Sequence, residues 1–232
     1  RPGRIAATAL RPRRRRPNNR PGNAGQGASI VFVLFTAWGY GVTVIEFASV
    51  IFAFLAIGLG IRGTRWAWPY YFLSGLLYGW LFVEFDLFAS AAMQLIFMAA
   101  AIWGWFSWGR EGVRVPSRLT PAGRMIGGVA TLGLWALVAP LLHSIGGAAT
   151  WGDAFMLVGS LAGQLLMVLQ KMETWQVWIA VNAVGTVLYA SQGLYFTSLF
   201  YAVLILMAVA GWREWASRAA THRATLPTSA RA

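Results

Sequence analysis

Residues 175–190 read WQVWIAVNAVGTVLYA, a run that is apolar enough to cross a bilayer but contains two indoles and one amide. At 100° per residue, Trp175, Trp178 and Asn182 fall within an arc of about 60° on one face of a helix. An amide that faces lipid would be costly, so this face should line a protein interior or a cavity. Flat aromatic surfaces beside one hydrogen-bonding group are suited to holding a small ligand.

The composition places this helix in a membrane protein. Of the 232 residues, 58% are hydrophobic and 11% are charged, whereas a soluble domain averages about 25% charged residues. The chain has no cysteine, so neither a disulfide framework nor a Cys-ligated metal site can form. The two histidines, His143 and His222, are far apart in the sequence. We therefore predict no metal site and no cofactor.

The net charge of +12 is concentrated near the N-terminus, where residues 1–20 contain eight of the 19 Lys and Arg residues. This segment is rich in Pro, Gly and Asn and has no acidic residue, so we predict a disordered basic tail over residues 1–28. We expect the tail to be attracted to anionic lipid or to have no partner. Nothing else in the chain resembles a nucleic-acid-binding module, so no nucleic-acid partner is expected.

Hydropathy predicts an all-α integral membrane protein with seven spanning helices, since a span needs roughly 17 to 25 residues. The predicted helices cover about 43–61, 69–83, 87–108, 125–142, 153–170, 175–190 and 194–215. Residues 29–42 are apolar but too short to span, and Gly39 and Gly41 interrupt them. We predict a short interfacial helix there.

The sequence also repeats itself at one fixed offset and without a gap. Trp68, Gly104, Trp105 and Trp108 correspond to Trp175, Gly211, Trp212 and Trp215. The repeat divides the chain into a three-helix unit (43–108), a loop with a linker helix (109–152), a second three-helix unit (153–215) and a tail (216–232). Because one helix connects the units, both enter the membrane in the same direction. This predicts a 3+1+3 parallel repeat about an axis along the membrane normal.

Loop charges predict the orientation of the chain. If seven helices alternate, most basic loop residues fall on one side, from Arg62 and Arg65 through Lys171 to the C-terminal arginines. The positive-inside rule makes that side the cytoplasm, so the C-terminus is predicted to be cytoplasmic. The N-terminus of the first span would then lie outside, which conflicts with an arginine-rich tail unless residues 29–42 return the chain.

The two units differ where a ligand would bind. Asn182 corresponds to Gly75, Trp178 to Tyr71, and Tyr201 to Gln94. A site between the units would therefore be asymmetric and would suit an asymmetric molecule. For Asn182 we favour ligand contact, whereas Gln94 fits ligand contact and an interhelical hydrogen bond of roughly 1 kcal/mol equally well.

Residues near helix ends have simpler explanations. We predict that six tryptophans form an aromatic belt at the membrane surface rather than touch a ligand, namely Trp66, Trp68, Trp105, Trp108, Trp212 and Trp215. Glu46 and Asp153 begin the first helix of each unit, where a carboxylate stabilises exposed N–H groups. No enzymatic signature occurs, so we do not expect an enzyme. With only seven acidic residues, a passive path is easier to support than proton-driven transport.

These motifs together resemble the PnuC family of bacterial vitamin transporters. In the second unit the similar residues are ETWQVWIAVN at 173–182, Tyr189 and GWREW at 211–215. In the first unit they are Glu46, Trp68, Tyr78, Gln94 and GWFSW at 104–108. The similarity covers about residues 30–215.

The resemblance implies a SWEET-like protein of the bacterial inner membrane that takes up nicotinamide riboside by facilitated diffusion, with a cytoplasmic kinase that traps the substrate. The predicted substrate-binding residues are Trp175, Trp178, Asn182, Gln94, Tyr189 and Tyr71. A flat pyridinium cation gains roughly 0.5 to 2 kcal/mol from each indole face. The two amides could bind its carboxamide or its ribose hydroxyls.

Other functions remain compatible with these residues. Thiamine and riboflavin are also flat and would suit aromatic walls, and a SWEET-type carrier could stack a sugar on the indoles. A membrane receptor or assembly subunit that transports nothing is a further alternative. The expected partners are a small vitamin and the lipid bilayer, and the oligomeric state of the chain is left open.

Overall fold

The computed structural model describes residues 32–37, 40–84, 88–109, 115–144, 150–191 and 195–225. The basic tail predicted for residues 1–28 lies outside this range.

Seven helices account for most of the described chain. They are α1 (Val44–Ile61), α2 (Ala67–Glu84), α3 (Phe88–Ser107), α4 (Pro121–Ser144), α5 (Thr150–Val168), α6 (Glu173–Ser191) and α7 (Tyr195–Thr225). The seven predicted helices are thus confirmed. Within the described ranges, five are long and apolar enough to cross a membrane, namely α1, α3, α4, α5 and α7. The remaining two, α2 and α6, are not among them, and each packs between two other helices.

One prediction about the segment before α1 is wrong. Residues 33–37 and 40–42 are not helical, because β1 (Val33–Ala37) and β2 (Tyr40–Thr43) pair as antiparallel strands. Aromatic and β-branched residues favour strands, and Gly is a poor helix former. Apart from this strand pair, the regular elements of the described residues are helical, as the predicted class requires. Helix α7 continues past Trp215 to Thr225, so the described part of the predicted tail is helical.

The helix ends repeat along with the sequence. Gly63 follows α1 with a φ of 61°, and Gln170, at the equivalent position of the second unit, follows α5 with a φ of 52°. After α1, the N–H of Thr64 donates to a carbonyl of that helix at 3.1 Å. After α5, the N–H of Lys171 donates to a carbonyl of that helix at 2.9 Å. This is the bond of a Schellman helix end. At the start of α1, the Thr43 hydroxyl accepts the N–H of Glu46 at 3.1 Å, so Thr43 is the cap and Glu46 lies in the first turn.

Six helices form a closed ring. In order around the ring they are α1, α2, α3, α5, α6 and α7, and α7 returns to contact α1. The fourth helix lies outside the ring and packs on α5. Because α2 and α6 are three places apart in this order, they lie on opposite sides of the ring. The faces that these two helices turn inward are therefore the natural place for a site.

Candidate functional site

Four tryptophans meet at one end of the ring. Trp68 lies edge-on to Trp108 with ring centroids 5.1 Å apart, and Trp175 lies edge-on to Trp215 at 5.3 Å. Trp108 and Trp215 join the two pairs, with centroids 6.0 Å apart. We call these four residues the tryptophan cluster. The chain of rings runs from α2 to α6, across the middle of the ring, so it closes the ring at this end.

A glycine makes room for one indole in each unit. A Cβ added to Gly104 would overlap the ring of Trp68, and a Cβ added to Gly211 would lie 2.5 Å from the ring of Trp175. Real Cβ atoms do not approach so closely, and a packed core does not absorb the extra atom without strain. The GW endings of the two units therefore reflect one packing solution used twice.

Two crossed hydrogen bonds tie the units together. The indole N–H of Trp108 donates to the Val168 carbonyl at 3.2 Å, and that of Trp215 donates to the Ile61 carbonyl at 3.1 Å. Val168 and Ile61 are the last residues of α5 and α1. Each unit thus bonds to the end of the other unit's first helix. Such reciprocity is the pattern of a two-fold interface, in which residue i contacts j and j contacts i.

The predicted aromatic belt is therefore wrong for half of its members. Trp68, Trp108 and Trp215 are at most 1% exposed and pack in the core, whereas Trp66 and Trp212 are exposed. Hydropathy cannot separate these two groups, because an indole suits both a membrane surface and a protein core. The hydrogen-bond partners of Trp108 and Trp215 lie in the other unit, so only tertiary packing decides their place.

Trp175 belongs to the tryptophan cluster rather than to an open wall. Its side chain is 2% exposed, and its indole N–H has no hydrogen-bond partner among the described residues. Trp68, its counterpart in the first unit, has the same buried and unpartnered N–H. A buried donor without an acceptor carries a cost of about 1 to 3 kcal/mol, and this cost is present at the same position in both units.

Beyond the cluster, α6 turns one face inward and another outward. Gln176, Ala180 and Val187 are exposed on the outer face. Asn182, on the inner face, is 4% exposed, and no described residue forms a hydrogen bond with its side-chain amide. With a rise of about 1.5 Å per residue, Asn182 lies roughly 6 Å further along the axis than Trp178. An unpaired amide at this depth is available to a ligand.

The opposite helix presents a glycine at the equivalent position. A Cβ on Gly75 would lie 3.6 Å from the Oε1 atom of Gln94 and 3.1 Å from Met98, so the Gln94 side chain covers the space that a larger residue would need.

Trp178 and Tyr71 lie between the cluster and these two amides. Both side chains are partly buried and pack against the core that includes the cluster. The indole of Trp178 lies over Gly163 of α5, 3.1 Å from where a Cβ would be, and the Tyr71 hydroxyl approaches Gly60 of α1 at 3.7 Å. Each unit thus places one aromatic side chain at this level, against a glycine of its own first helix, and only Trp178 lies so close that a Cβ on that glycine would crowd it.

A tyrosine pair lies further from the cluster. Tyr189 stacks on Tyr201 with ring centroids 5.2 Å apart and an interplanar angle of 28°. The Tyr201 ring lies over Gly185, where a Cβ would come within 2.6 Å. Sequence reasoning named Tyr201 only as the counterpart of Gln94 and did not include it in the site. The signal was available, since Tyr201 and Gln94 occupy matched positions that each cover a glycine of the central helix.

The inner faces of α2 and α6 contain no charged group between the cluster and the tyrosines. From residue 67 to 83 and from 174 to 191 the chain has no Asp, Glu, Lys, Arg or His. A cationic ligand at this depth would be held by aromatic faces rather than by a carboxylate. Two open cavities of about 440 Å³ each lie instead at the cluster end, one of them lined by Lys171 and the other by Arg118. We call this the basic end of the ring.

The chain is similar in sequence and fold to known proteins. The sequence pattern of the family described as nicotinamide mononucleotide transporter matches residues 43–217 of the chain. The chain belongs to this family. The matched residues include α1 to α6 and α7 as far as residue 217. The match confirms the resemblance predicted from the tryptophan motifs of the two units.

Individual relatives of this transporter family differ in the vitamin that they are named for. The chain is 26% identical to the nicotinamide riboside transporter PnuC of Escherichia coli, over 82% of the chain and 92% of that protein. It is 28% identical to the riboflavin/roseoflavin transporter RibM of Streptomyces davaonensis, over 71% of the chain and 81% of that protein. The crystal structure of the vitamin B3 transporter PnuC has the same fold, with a TM-score of 0.62, 21% identity, and coverage of 77% and 83%.

Membership of the nicotinamide mononucleotide transporter family and five apolar helices make the chain a multi-pass membrane protein. The six residues predicted to bind substrate lie at successive levels along the ring. From the basic end these levels are Trp175 in the cluster, then Tyr71 and Trp178, then Gln94 and Asn182, and finally Tyr189. We call this series of six residues the lane.

Proposed function

We propose that the chain carries nicotinamide riboside across the bacterial inner membrane by facilitated diffusion. The observation that carries this proposal is the Asn182 side chain, which is 4% exposed, has no hydrogen bond to a described side chain, and lies one helical turn beyond the partly buried indole of Trp178. The relative named as a nicotinamide riboside transporter supports the choice of substrate.

The proposed architecture is the 3+1+3 parallel repeat with an axis along the membrane normal. Its support is that interactions recur at equivalent positions of the two units, from the left-handed helix ends to the crossed indole hydrogen bonds. The packing of α4 on α5 outside the ring suits a linker helix. The transport path would then follow the axis between α2 and α6.

The chemistry of the lane suits a flat cation with polar substituents. The pyridinium would stack on Trp178, with Tyr71 as the aromatic group of the other unit, because aromatic faces attract cations. Asn182 and Gln94 would bind the carboxamide and the ribose hydroxyls. A buried amide that has no partner in the empty protein gains a full hydrogen bond from such a ligand. Tyr189 would contact the substrate further from the basic end.

In this scheme the tryptophan cluster is the gate at the basic end. Its chain of rings runs between α2 and α6, and its two crossed hydrogen bonds join the units. Substrate would leave at this end when the units separate and Trp108 and Trp215 release their carbonyl partners. We assign Trp175 to this gate and regard its contact with substrate as limited to the moment of passage.

The direction of uptake follows from the loop charges. Arg62, Arg118, Arg124 and Lys171 lie at the basic end, which is cytoplasmic by the positive-inside rule. The C-terminus would also be cytoplasmic. Because the lane has no Asp, Glu, Lys, Arg or His side chain to carry a coupled proton, accumulation would depend on a cytoplasmic kinase that phosphorylates the substrate.

Riboflavin is a second candidate substrate, favoured by the relative named as a riboflavin/roseoflavin transporter. Counterflow into proteoliposomes separates the candidates, because it detects facilitated exchange without a driving force. Vesicles preloaded with unlabelled nicotinamide riboside should take up labelled nicotinamide riboside, and a proton gradient should not change the final level. Faster counterflow with riboflavin, thiamine or a sugar would replace the proposed substrate. No counterflow with any of them would favour a receptor or an assembly subunit.

A further inference from the structure

One cavity at the basic end is not part of the transport lane. It has a volume of about 440 Å³ and lies between the segment that precedes α4 and the end of α7. Its floor is apolar and includes Pro116, Met172 and Ala216, of which Pro116 and Met172 are buried. Such a combination of depth and apolar floor can hold the body of a small molecule.

The rim of this cavity is cationic. Arg118 lies on one wall, and His222 and Arg223 lie on the other. None of the three forms an ion pair with any residue in the described ranges. The Nε atom of Arg223 donates to the carbonyl of Ala219 in its own helix at 3.3 Å, which leaves the two terminal nitrogens of its guanidinium free to bind a ligand.

The nearby carboxylates are already occupied. Glu173 accepts hydrogen bonds from Arg124 at 2.9 Å and from the backbone N–H of Leu119. Glu214 is paired with Arg218 at 2.8 Å. Neither carboxylate lines the cavity. The cations of the rim therefore keep a net positive field that no described acidic side chain cancels.

The wall that carries Arg118 is held in place. The N–H of Ser117 donates to the Gln170 carbonyl at 3.2 Å, and its own carbonyl accepts the N–H of Met172 at 2.9 Å. The Lys171 ammonium also donates to the Ser117 hydroxyl at 2.9 Å. These three bonds hold the backbone next to Arg118 in place without using the Arg118 guanidinium.

A simpler explanation covers only part of the rim. A cation in the last turn of a helix stabilises the negative end of its dipole, which accounts for Arg223. It does not account for Arg118, which belongs to the other wall. Nor does it account for the extension of α7 past Trp215, which is what brings His222 and Arg223 to the cavity.

We propose that this cavity binds a phosphate ester, with the phosphate between Arg118 and Arg223 and the attached group on the apolar floor. The planar fork of arginine matches a phosphate in two parallel hydrogen bonds. Two sources supply this chemistry, a soluble nucleoside monophosphate and the headgroup of an anionic phospholipid. The site lies outside the lane, so the proposal does not depend on which vitamin is carried.

Binding by the purified full-length chain tests the proposal. In the soluble arm, calorimetry compares adenosine monophosphate with adenosine, a pair that differs by the phosphate alone. In the lipid arm, native mass spectrometry compares retention of phosphatidylglycerol with that of phosphatidylcholine. We expect one of the two phosphate ligands to bind in preference to its control, and the arm in which this occurs identifies the source.

The double variant Arg118→Gln/Arg223→Gln should weaken that binding by about tenfold or more. Arg213→Gln is the matched control, because Arg213 is exposed on the same helix and does not line the cavity. If the double variant is poorly folded, Arg118→Lys/Arg223→Lys keeps the charge and should show a smaller loss. Absence of binding in both arms, binding that survives the double variant, or an equal loss in Arg213→Gln would each overturn the proposal.

Discussion

The two three-helix units are alike at the basic end and unlike in the middle of the ring. At the basic end, Trp68 and Trp175 have equivalent surroundings. Each lies edge-on to another tryptophan, each packs against a glycine, and each has a buried indole N–H without a partner among the described residues. In the middle, Gly75 stands opposite Asn182. Reciprocal contacts explain the likeness, because a change in one closing tryptophan alters the bond to the other unit. In the proposed function, the middle of the lane contacts a ligand instead, and an asymmetric ligand needs different residues on its two sides.

The largest expected effect tests the likeness of the basic end. Gly104→Ala and Gly211→Ala should each lower the stability of the protein by about 3 kcal/mol, because each new methyl group overlaps an indole. Thermal melting in detergent measures the loss. Gly133→Ala is the control, since a Cβ there meets no atom within 4 Å, and Ala is favoured over Gly in a helix by roughly 1 kcal/mol. If the two variants lost unequal amounts of stability, the two units would not be equivalent at this position.

The next effect tests the difference in the middle of the ring. Trp178→Ala and Asn182→Leu should each reduce counterflow of nicotinamide riboside by about tenfold or more, whereas Tyr71→Ala should reduce it by about threefold. The second unit would then contribute most of the selectivity. Trp80→Ala removes an exposed indole from α2 and should leave transport unchanged. Wild-type transport by folded Trp178 and Asn182 variants would remove both residues from the site.

The crossed hydrogen bonds allow a sharper comparison of the units. Trp108→Phe and Trp215→Phe each remove one indole donor, so each should cost about 1 kcal/mol of stability. Opening of the gate can be followed separately, because the chain has no cysteine of its own. The thiol introduced by Asn182→Cys should react slowly with an impermeant maleimide added at the basic end. The same thiol should react faster in a protein that also carries Trp108→Phe and Trp215→Phe. An unchanged labelling rate would contradict the assignment of the cluster as a gate.

The smallest effect concerns the residues with positive φ that follow α1 and α5. These two residues, Gly63 and Gln170, differ in type but share a left-handed backbone conformation. Gly63→Ala should lower stability by about 1 kcal/mol, because a side chain disfavours a φ of 61°. Gln170→Gly should change stability in the opposite direction by about 0.5 kcal/mol, because it relieves the same strain at a φ of 52°. Thermal melting compares the two. A loss in Gln170→Gly would show that the packing of its side chain outweighs its backbone strain.

Much of the fold was predictable because a bilayer imposes a simple requirement on a helix. Residues 43–61 and 175–190 were predicted within a few residues of α1 and α6, since length and apolarity mark a span. The strand pair at 33–43 and the extension of α7 to Thr225 were missed. Both lie at the ends of the chain, where no requirement to cross the membrane selects one secondary structure.

The candidate site was predictable in part. The spacing of Trp178 and Asn182 placed both on one helix face, and Asn182 lies on the buried face of α6. The role of Trp175 was not predictable in the same way. Its membership of the tryptophan cluster depends on Gly211 and Trp215, which lie on another helix and reach it only when the ring closes.

The amino-acid sequence by itself determined the membrane class, the seven helices and the ungapped repeat of the two units. That Trp178 and Asn182 are most responsible for ligand choice stays a prediction from the sequence. Composition and periodicity depend on residues that are close together in the chain, so they can be determined from the sequence alone. Only the tertiary structure decided that Trp108 and Trp215 cross between the units, and that Arg118 meets the end of α7 across a cavity. These depend on contacts between residues far apart in the chain, which form only when the whole ring is packed.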